Sequence, residues 1–149
     1  MNMIKRLLIL VIILLGNFAF AQSADEKAIK KTIEGEKAAA DAADYKTYLA
    51  DWAKVPHASF LYAGGLFVGE ALWKKMDEVW ATRKPRKVNN IRSEWNIRVN
   101  GASAFVTFFQ RQETVENNGI IESYEERYME KINSEWKIVN VTVWGKPTK

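Results

Sequence analysis

The sequence predicts an α+β domain, with three helices followed by an antiparallel sheet of four long strands and one short strand. Two observations support this prediction. Apolar residues recur at helical spacing in the segments before Pro85, whereas apolar and polar residues alternate from Val88 onward. Three turn signals, VNGA, ENNGI and INSEW, divide the alternating part into four runs.

The helical part is predicted to contain three segments. The first covers 24–43, where apolar residues occupy one side and charged residues the other. Asp44 can cap a second, shorter helix that runs to Trp52. After a short extended piece interrupted by glycines, Gly69 opens a third helix, and Pro85 prevents its continuation.

Alternation predicts four strands, over 88–99, 102–116, 120–132 and 135–144. If each turn has two residues, one face of the sheet carries these apolar side chains: Ile91, Trp95, Ile97, Val106, Phe108, Met129, Trp136, Ile138 and Trp144. The same register adds two polar rows to that face: Gln110–Arg127–Asn140 and Gln112–Glu125–Thr142. A shift of one residue would reverse the assignment of a strand.

The opposite face of the predicted sheet is also apolar. Three helices can cover one face only, so the other face is expected to need a partner. Its predicted members are Phe105, Phe109, Tyr124, Tyr128, Val139, Val141 and Val143.

Residues 1–21 have the layout of a secretory signal peptide, with a basic start, an apolar run over 7–15 and small residues up to Ala21. The run is shorter than the roughly 20 residues of a membrane-spanning helix, so no stable membrane anchor is expected after cleavage. An uncleaved anchor is the alternative, since 4–20 is nearly apolar. The remainder, 22–149, is predicted to be one periplasmic or secreted domain.

The composition excludes several kinds of site. The chain has no cysteine, hence no disulfide and no thiolate metal cluster, and one histidine with scattered carboxylates predicts neither a metal site nor a cofactor. Loss of Lys5 and Arg6 reduces the formal charge from +4 to +2. No nucleic-acid motif or phosphate loop is present in the predicted domain, and the basic run over 83–87 is interpreted as a solvated loop that could touch an anionic surface.

The order of these elements resembles the nuclear transport factor 2-like superfamily, and within it the SnoaL-like and ketosteroid-isomerase-like domains. The resemblance covers about 24–145 and is carried by ADYKTYLADW, AGGLFVGEALWKKM and RYMEKINSEWKIVNVTVW. It implies a sheet curled like a cone around the helices, with a cavity between them, and a homodimer formed through the outer sheet face. Many relatives carry histidines late in the last strand, where this chain has Asn140 and Thr142.

The resemblance implies that Asn140 and Thr142 face the cavity, within reach of the other polar residues on that face. Arg127 could bind an anionic group of a ligand, or it could form an internal ion pair with Glu125 or a helix carboxylate. Aromatic residues could line the same pocket or simply form the core. The predicted ligand-binding residues are Tyr62, Trp73, Trp95, Gln110, Arg127, Asn140, Thr142 and Trp144.

His57 and Glu126 are the predicted catalytic residues. In relatives the position of His57 lies near the cavity mouth, and an imidazole titrates near neutral pH as a general base requires. The predicted function is an exported domain that binds a small, partly apolar molecule. One alternative is a ketosteroid-isomerase-like enzyme that moves a proton or catalyses a related lyase or hydrolase reaction. The other is a structural dimerisation module whose cavity is filled by side chains.

Overall fold

The structure, a computed structural model, describes residues 24–115 and 119–146. The predicted signal peptide lies outside the described residues. Helix α1 covers 24–42. The other elements are α2 Tyr45–Ala50, β1 Ser59–Tyr62, β2 Gly65–Val68, α3 Glu70–Trp80, β3 Val88–Asn100, β4 Ser103–Thr114, β5 Gly119–Ile132 and β6 Glu135–Gly145. The predicted α+β class is confirmed.

Helix α1 packs its apolar side into the core. Ile29 and Ile33 are fully buried and Ala40 is nearly so. Glu36 and Lys37 are buried on the same side, because a helix brings residues three and four positions apart onto one face. The prediction that charged residues keep to the opposite side of this helix is therefore wrong at two positions.

The two shorter helices begin where the sequence predicted. The Asp44 carboxylate caps α2, accepting a hydrogen bond from the Thr47 backbone N–H at 3.0 Å. Gly69 stands at the N-terminus of α3 with a φ of 56°. No helix in the described part of the chain is long and apolar enough to cross a membrane.

The six strands form one curved, open sheet in the order β2-β1-β6-β5-β4-β3. The extended piece predicted before α3 is a hairpin of β1 and β2. Strand β1 runs parallel to β6, with Ser59 opposite Asn140, and all other pairings are antiparallel. The two short strands therefore add two pairings, β1 with β2 and β1 with β6, to the sheet of four long strands.

Two of the three predicted registers are shifted by an even number of residues, which keeps the faces unchanged. In the first hairpin Ile97 meets Val106, because the turn residues are Gly101 and Ala102. In the second hairpin Phe108 meets Glu125 instead of Met129. The third hairpin is paired as predicted next to its turn.

Two bulges reverse the faces of the strands beyond them. In β3 the register shifts between Ser93 and Asn96, so Ile91 is exposed, contrary to the prediction. In β6 the register shifts at Val139, which makes Arg127 face Val141 and Tyr128 face Asn140. The predicted pairing of Arg127 with Asn140 is therefore wrong.

The core lies between the helices and the concave face of the sheet. Strand residues that point inward join the buried residues of all three helices. The fully buried large side chains are Phe108, Ile29, Ile33, Leu72, Met129, Ile138, Gln110, Val106, Val139 and Val141.

The convex face of the sheet is not covered by the described part of the chain. Four large aromatic residues on it are more than a third exposed. The prediction for this face needs a correction: Val139 and Val141 are buried and Val143 packs against the core, because of the bulge in β6. The exposed aromatic residues are Phe105, Tyr124, Tyr128 and Trp144.

Candidate functional site

A cavity of about 500 Å³ lies between the concave face of the sheet, α1, α3 and the β1–β2 hairpin. Its floor is polar and comes from β4, β5 and α1. Its walls are mostly apolar and come from α3 and the hairpin. Exposed lining residues, among them Ala63, Val79 and Ile121, mark the mouth. The volume falls in the range of small-molecule sites.

Arg127 and Glu125 form the centre of the polar floor. The Arg127 Nη2 and Nε atoms donate hydrogen bonds to Glu125 Oε2 at 2.6 and 3.1 Å. Gln110 Nε2 donates to the other oxygen of the same carboxylate at 2.5 Å. The three residues lie close together because β4 and β5 are paired and all three side chains point to the same, inward face of the sheet. Each is at most 4% exposed.

Glu36 of α1 adds a second carboxylate to this floor. Its Oε2 lies 3.5 Å from Arg127 Nη1, an ion-pair distance that makes no aligned hydrogen bond. Burial would lower the pKa of Arg127, but the carboxylates of Glu36 and Glu125 outweigh it and raise the pKa. Burial, followed by the charge of Glu36, also raises the pKa of Tyr48. Arg127 is therefore the permanently charged centre of an internal ion-pair network.

Two polar atoms of the floor remain without a hydrogen-bond partner in the described part of the chain. They are Gln110 Oε1, an acceptor, and Arg127 Nη1, a donor. The Gln110 amide orientation follows from its contact, because only the amino group can donate to the Glu125 carboxylate. Buried polar atoms of this kind are normally satisfied by water or a bound molecule.

The apolar wall contains stacked aromatic rings. Phe60 and Tyr62 stack with their centroids 5.3 Å apart, and Tyr62 and Phe67 stack at 6.0 Å. Leu72 and Met76 of α3 continue the wall toward the floor. A surface of this composition can hold an apolar or aromatic body, whereas the floor offers donors and acceptors.

Three of the eight predicted ligand-binding residues line the cavity: Tyr62, Gln110 and Arg127. Trp73 and Trp95 instead pack against the core from outside the cavity. The Trp73 ring stands at right angles to that of Trp52, and the ring centroids of Trp95 and Phe108 lie 4.6 Å apart.

The other three predicted ligand-binding residues lie on the far side of the sheet. Beyond the bulge, Asn140 and Thr142 are paired with Tyr128 and Glu126. The side chains of Tyr128 and Glu126 point to the face of the sheet opposite to that of Arg127, which points inward. Asn140 Nδ2 donates to Ser59 Oγ at 2.7 Å. Trp144 is 53% exposed. The expectation that these three face the cavity is wrong, because one extra residue in β6 turns them outward.

The two predicted catalytic residues are not among those that line the cavity. His57 is exposed, and its Nε2 atom lies 3.7 Å from Glu130 Oε1. Glu126 stands opposite Thr142 on the outward side of β5.

Asp51 is a half-buried acid that the predicted site residues do not include. Burial, followed by the nearby charge of Glu36, raises the pKa of Asp51 to about 6. It lies at the C-terminus of α2, outside the residues that line the cavity. Within 24–115 and 119–146, no group of acidic or histidine side chains is placed to hold a metal ion.

Sequence reasoning missed several residues of the cavity. Glu36 and Lys37 could have been found, because they fall on the apolar side of α1 between Ile33 and Ala40. Arg83 and Arg86 belong to the basic run interpreted as a solvated loop, yet both line the cavity. Their position depends on contacts with α1, which the local sequence does not reveal.

The structure is similar to solved structures at low sequence identity. An NTF2-like superfamily protein from Salmonella enterica serovar Typhimurium is 22% identical, with 86% of this chain and 95% of that chain covered and a TM-score of 0.67. A candidate dehydratase of the NTF2-like family from Streptomyces avermitilis is 13% identical, with 85% and 99% covered and a TM-score of 0.72. The association domain of C. elegans CaMKII is 17% identical, with 83% and 98% covered and a TM-score of 0.69.

By sequence, the chain matches no family model and no curated protein. Likeness at these identities shows the fold alone, and the fold is NTF2-like, as the resemblance in sequence implied.

Proposed function

We propose that this chain, which has an NTF2-like fold, is an exported domain that binds a small, partly apolar molecule in the cavity between its helices and sheet. The observation that supports this most directly is the cavity of about 500 Å³, whose floor has an unpaired acceptor on Gln110 and an unpaired donor on Arg127. A solid core would leave neither the space nor the unpaired atoms.

The geometry also indicates how the cavity would hold its ligand. The rings of Phe60, Tyr62 and Phe67 would cover the apolar part, and burying that surface supplies most of the affinity. The polar atoms of Gln110 and Arg127 would fix the orientation. Because Glu125 and Glu36 already hold Arg127, little rearrangement is needed when the ligand enters.

A variant with a filled cavity tests this proposal. Ser123 is buried and lines the cavity, so Ser123→Trp places an indole there. In a thermal-shift screen of carboxylates, steroids and aromatic acids, we expect at least one compound to raise the Tm of the wild type by several degrees. The same compound should leave the Tm of Ser123→Trp unchanged.

Ser93→Trp is the matched control, because Ser93 is exposed on β3 and outside the cavity lining. It should respond like the wild type. A library without any stabilising compound, or an equal response in Ser123→Trp, would contradict binding in the cavity.

Export and dimerisation are two further parts of the proposal. The signal-peptide layout of 1–21 supports export, and the exposed aromatic residues of the convex face support a homodimer through that face. We expect protein from a periplasmic or culture fraction to have the mass of 22–149. A protein with the full-length mass would contradict export.

The protein should sediment as a dimer that Tyr128→Lys converts to monomers. A wild type that is monomeric at micromolar concentration would contradict dimerisation.

The catalytic alternative draws support from the structural similarity to a candidate dehydratase and from the acids near the floor. His57 and Glu126 do not add to it, since neither lines the cavity. A general base must reach the proton that it removes, and among the described residues the acids that line the cavity are Glu36, Glu122 and Glu125. Binding therefore accounts for more of the observed geometry than proton transfer does.

A further inference from the structure

Arg83 is a cation of the cavity that has no carboxylate partner in the described part of the chain. It is half-buried and lines the cavity three residues after the end of α3. Its Nε atom donates to the Ala40 carbonyl oxygen at 2.8 Å, and its guanidinium carbon lies 4.8 Å from the centroid of the Trp80 ring. These two contacts fix the plane of the guanidinium and leave its two Nη atoms for another acceptor.

The neighbours of Arg83 increase the positive charge at this end of the cavity. Lys37 and Arg86 both contact one carboxylate, that of Asp41, at 2.6 and 3.1 Å. Burial, followed by the charge of Arg86, lowers the pKa of Arg83. Lys37 and Arg86 thus share the carboxylate of Asp41, whereas Arg83 has no ion pair in the described part of the chain, and an added anion would relieve the repulsion between these cations.

The centre of the polar floor has the reverse balance. There Arg127 lies between Glu125 and Glu36, so its charge is more than compensated. Over the whole lining there are five cationic and three acidic residues, a formal surplus of two positive charges. Lys37, Arg83 and Arg86 supply three of the five cations, so an anionic group of a ligand would be favoured beside Arg83.

We infer that the ligand carries a carboxylate, that Arg83 binds this group through its two Nη atoms, and that the apolar part extends from Trp80 along the aromatic wall. The inference rests on the proposed function, because it specifies the class of molecule that the cavity holds. It also reassigns recognition of the anion from Arg127 to Arg83. A planar guanidinium that meets a carboxylate with two parallel hydrogen bonds gives both strength and orientation.

The experiment compares 3-phenylpropanoate with 3-phenylpropanamide, which has the same shape but no charge. Calorimetric titration of the wild type should show that the carboxylate binds about tenfold more tightly than the amide. In Arg83→Met this preference should fall to about twofold or less, while the affinity for the amide stays within about threefold. Unchanged amide binding shows that the cavity of the variant is intact.

Lys84→Met is the matched control, because Lys84 belongs to the same basic run but is exposed and does not line the cavity. It should keep the wild-type preference for the carboxylate. A wild type that binds both probes equally, or an Arg83→Met variant that keeps the preference, would overturn the inference and leave cavity binding standing. If neither probe binds, the inference is also wrong, and the thermal-shift comparison with Ser123→Trp decides the proposed function separately.

Discussion

Replacing Arg127 with methionine should lower the free energy of unfolding by about 3–5 kcal/mol, because it leaves two buried carboxylates without a counter-charge. Glu125 loses both hydrogen bonds from the guanidinium, and Glu36 loses its ion pair. Both acids are at most 5% exposed, so an unpaired charge on either one carries a large desolvation cost. Urea denaturation at pH 8 measures the change.

Two comparisons distinguish this effect from a loss of packing. Adding Glu125→Gln to Arg127→Met should recover at least about 1 kcal/mol, since it removes one of the unpaired charges. The amide introduced by Glu125→Gln would keep an oxygen for the existing hydrogen bond from Gln110. Arg98→Met, on an exposed position of β3, should change stability by no more than about 0.5 kcal/mol.

A loss below about 1 kcal/mol in Arg127→Met, or one that the added Glu125→Gln does not reduce, would contradict the role of Arg127 as the internal counter-charge.

The elements of the fold could be predicted from sequence because their signals are local. The Asp44 side chain caps α2 by accepting a hydrogen bond from the backbone N–H of Thr47, three positions later. The turn between β5 and β6 sets the pairing of the residues next to it. The order of helices and strands then suffices for the resemblance to the NTF2-like fold. The parallel pairing of β1 with β6 could not be predicted in this way, since it joins segments about eighty residues apart.

The faces of the sheet could be predicted only up to the two bulges. Alternation assumes that every residue advances the strand by one step, and a bulge adds a residue that breaks this rule. In β6 the bulge lets Val141 and Val143 point inward and turns Asn140 and Thr142 outward. The bulge thus explains why polar residues follow Ile138 at positions where the alternating pattern predicts inward side chains. The cavity floor comes from β4, β5 and α1 instead.

Of the charged residues of the site, the sequence indicated the contacts of Arg127 but not those of Arg83. An internal ion pair with Glu125 or a helix carboxylate was one interpretation of Arg127, and the structure contains both contacts. Arg83 was hidden in a basic run that is typical of a solvated loop. Its bond to the Ala40 carbonyl and its contact with Trp80 depend on how α3 packs against α1, which no local pattern encodes.

Gly69→Ala should be the most destabilising change among the glycines with a positive φ. Gly69 has a φ of 56° and a ψ of −125°, a conformation that side chains rarely adopt, and this alone costs about 1–3 kcal/mol. A Cβ atom would also lie 2.6 Å from the Pro56 carbonyl oxygen, a backbone atom that cannot rotate away. We expect a total loss of about 3 kcal/mol or more in urea denaturation.

Gly101→Ala is the comparison without a close contact, because Gly101 has a φ of 59° but no atom within 4 Å of the added Cβ. Its loss should be only about 1 kcal/mol, the cost of the left-handed conformation. The larger loss expected for Gly69→Ala combines its less accessible backbone conformation with the close approach to Pro56. Since α3 supplies one wall of the cavity, Gly69→Ala should also weaken the binding of any ligand found in the thermal-shift screen. Equal losses for the two variants would show that the close approach to Pro56 contributes nothing.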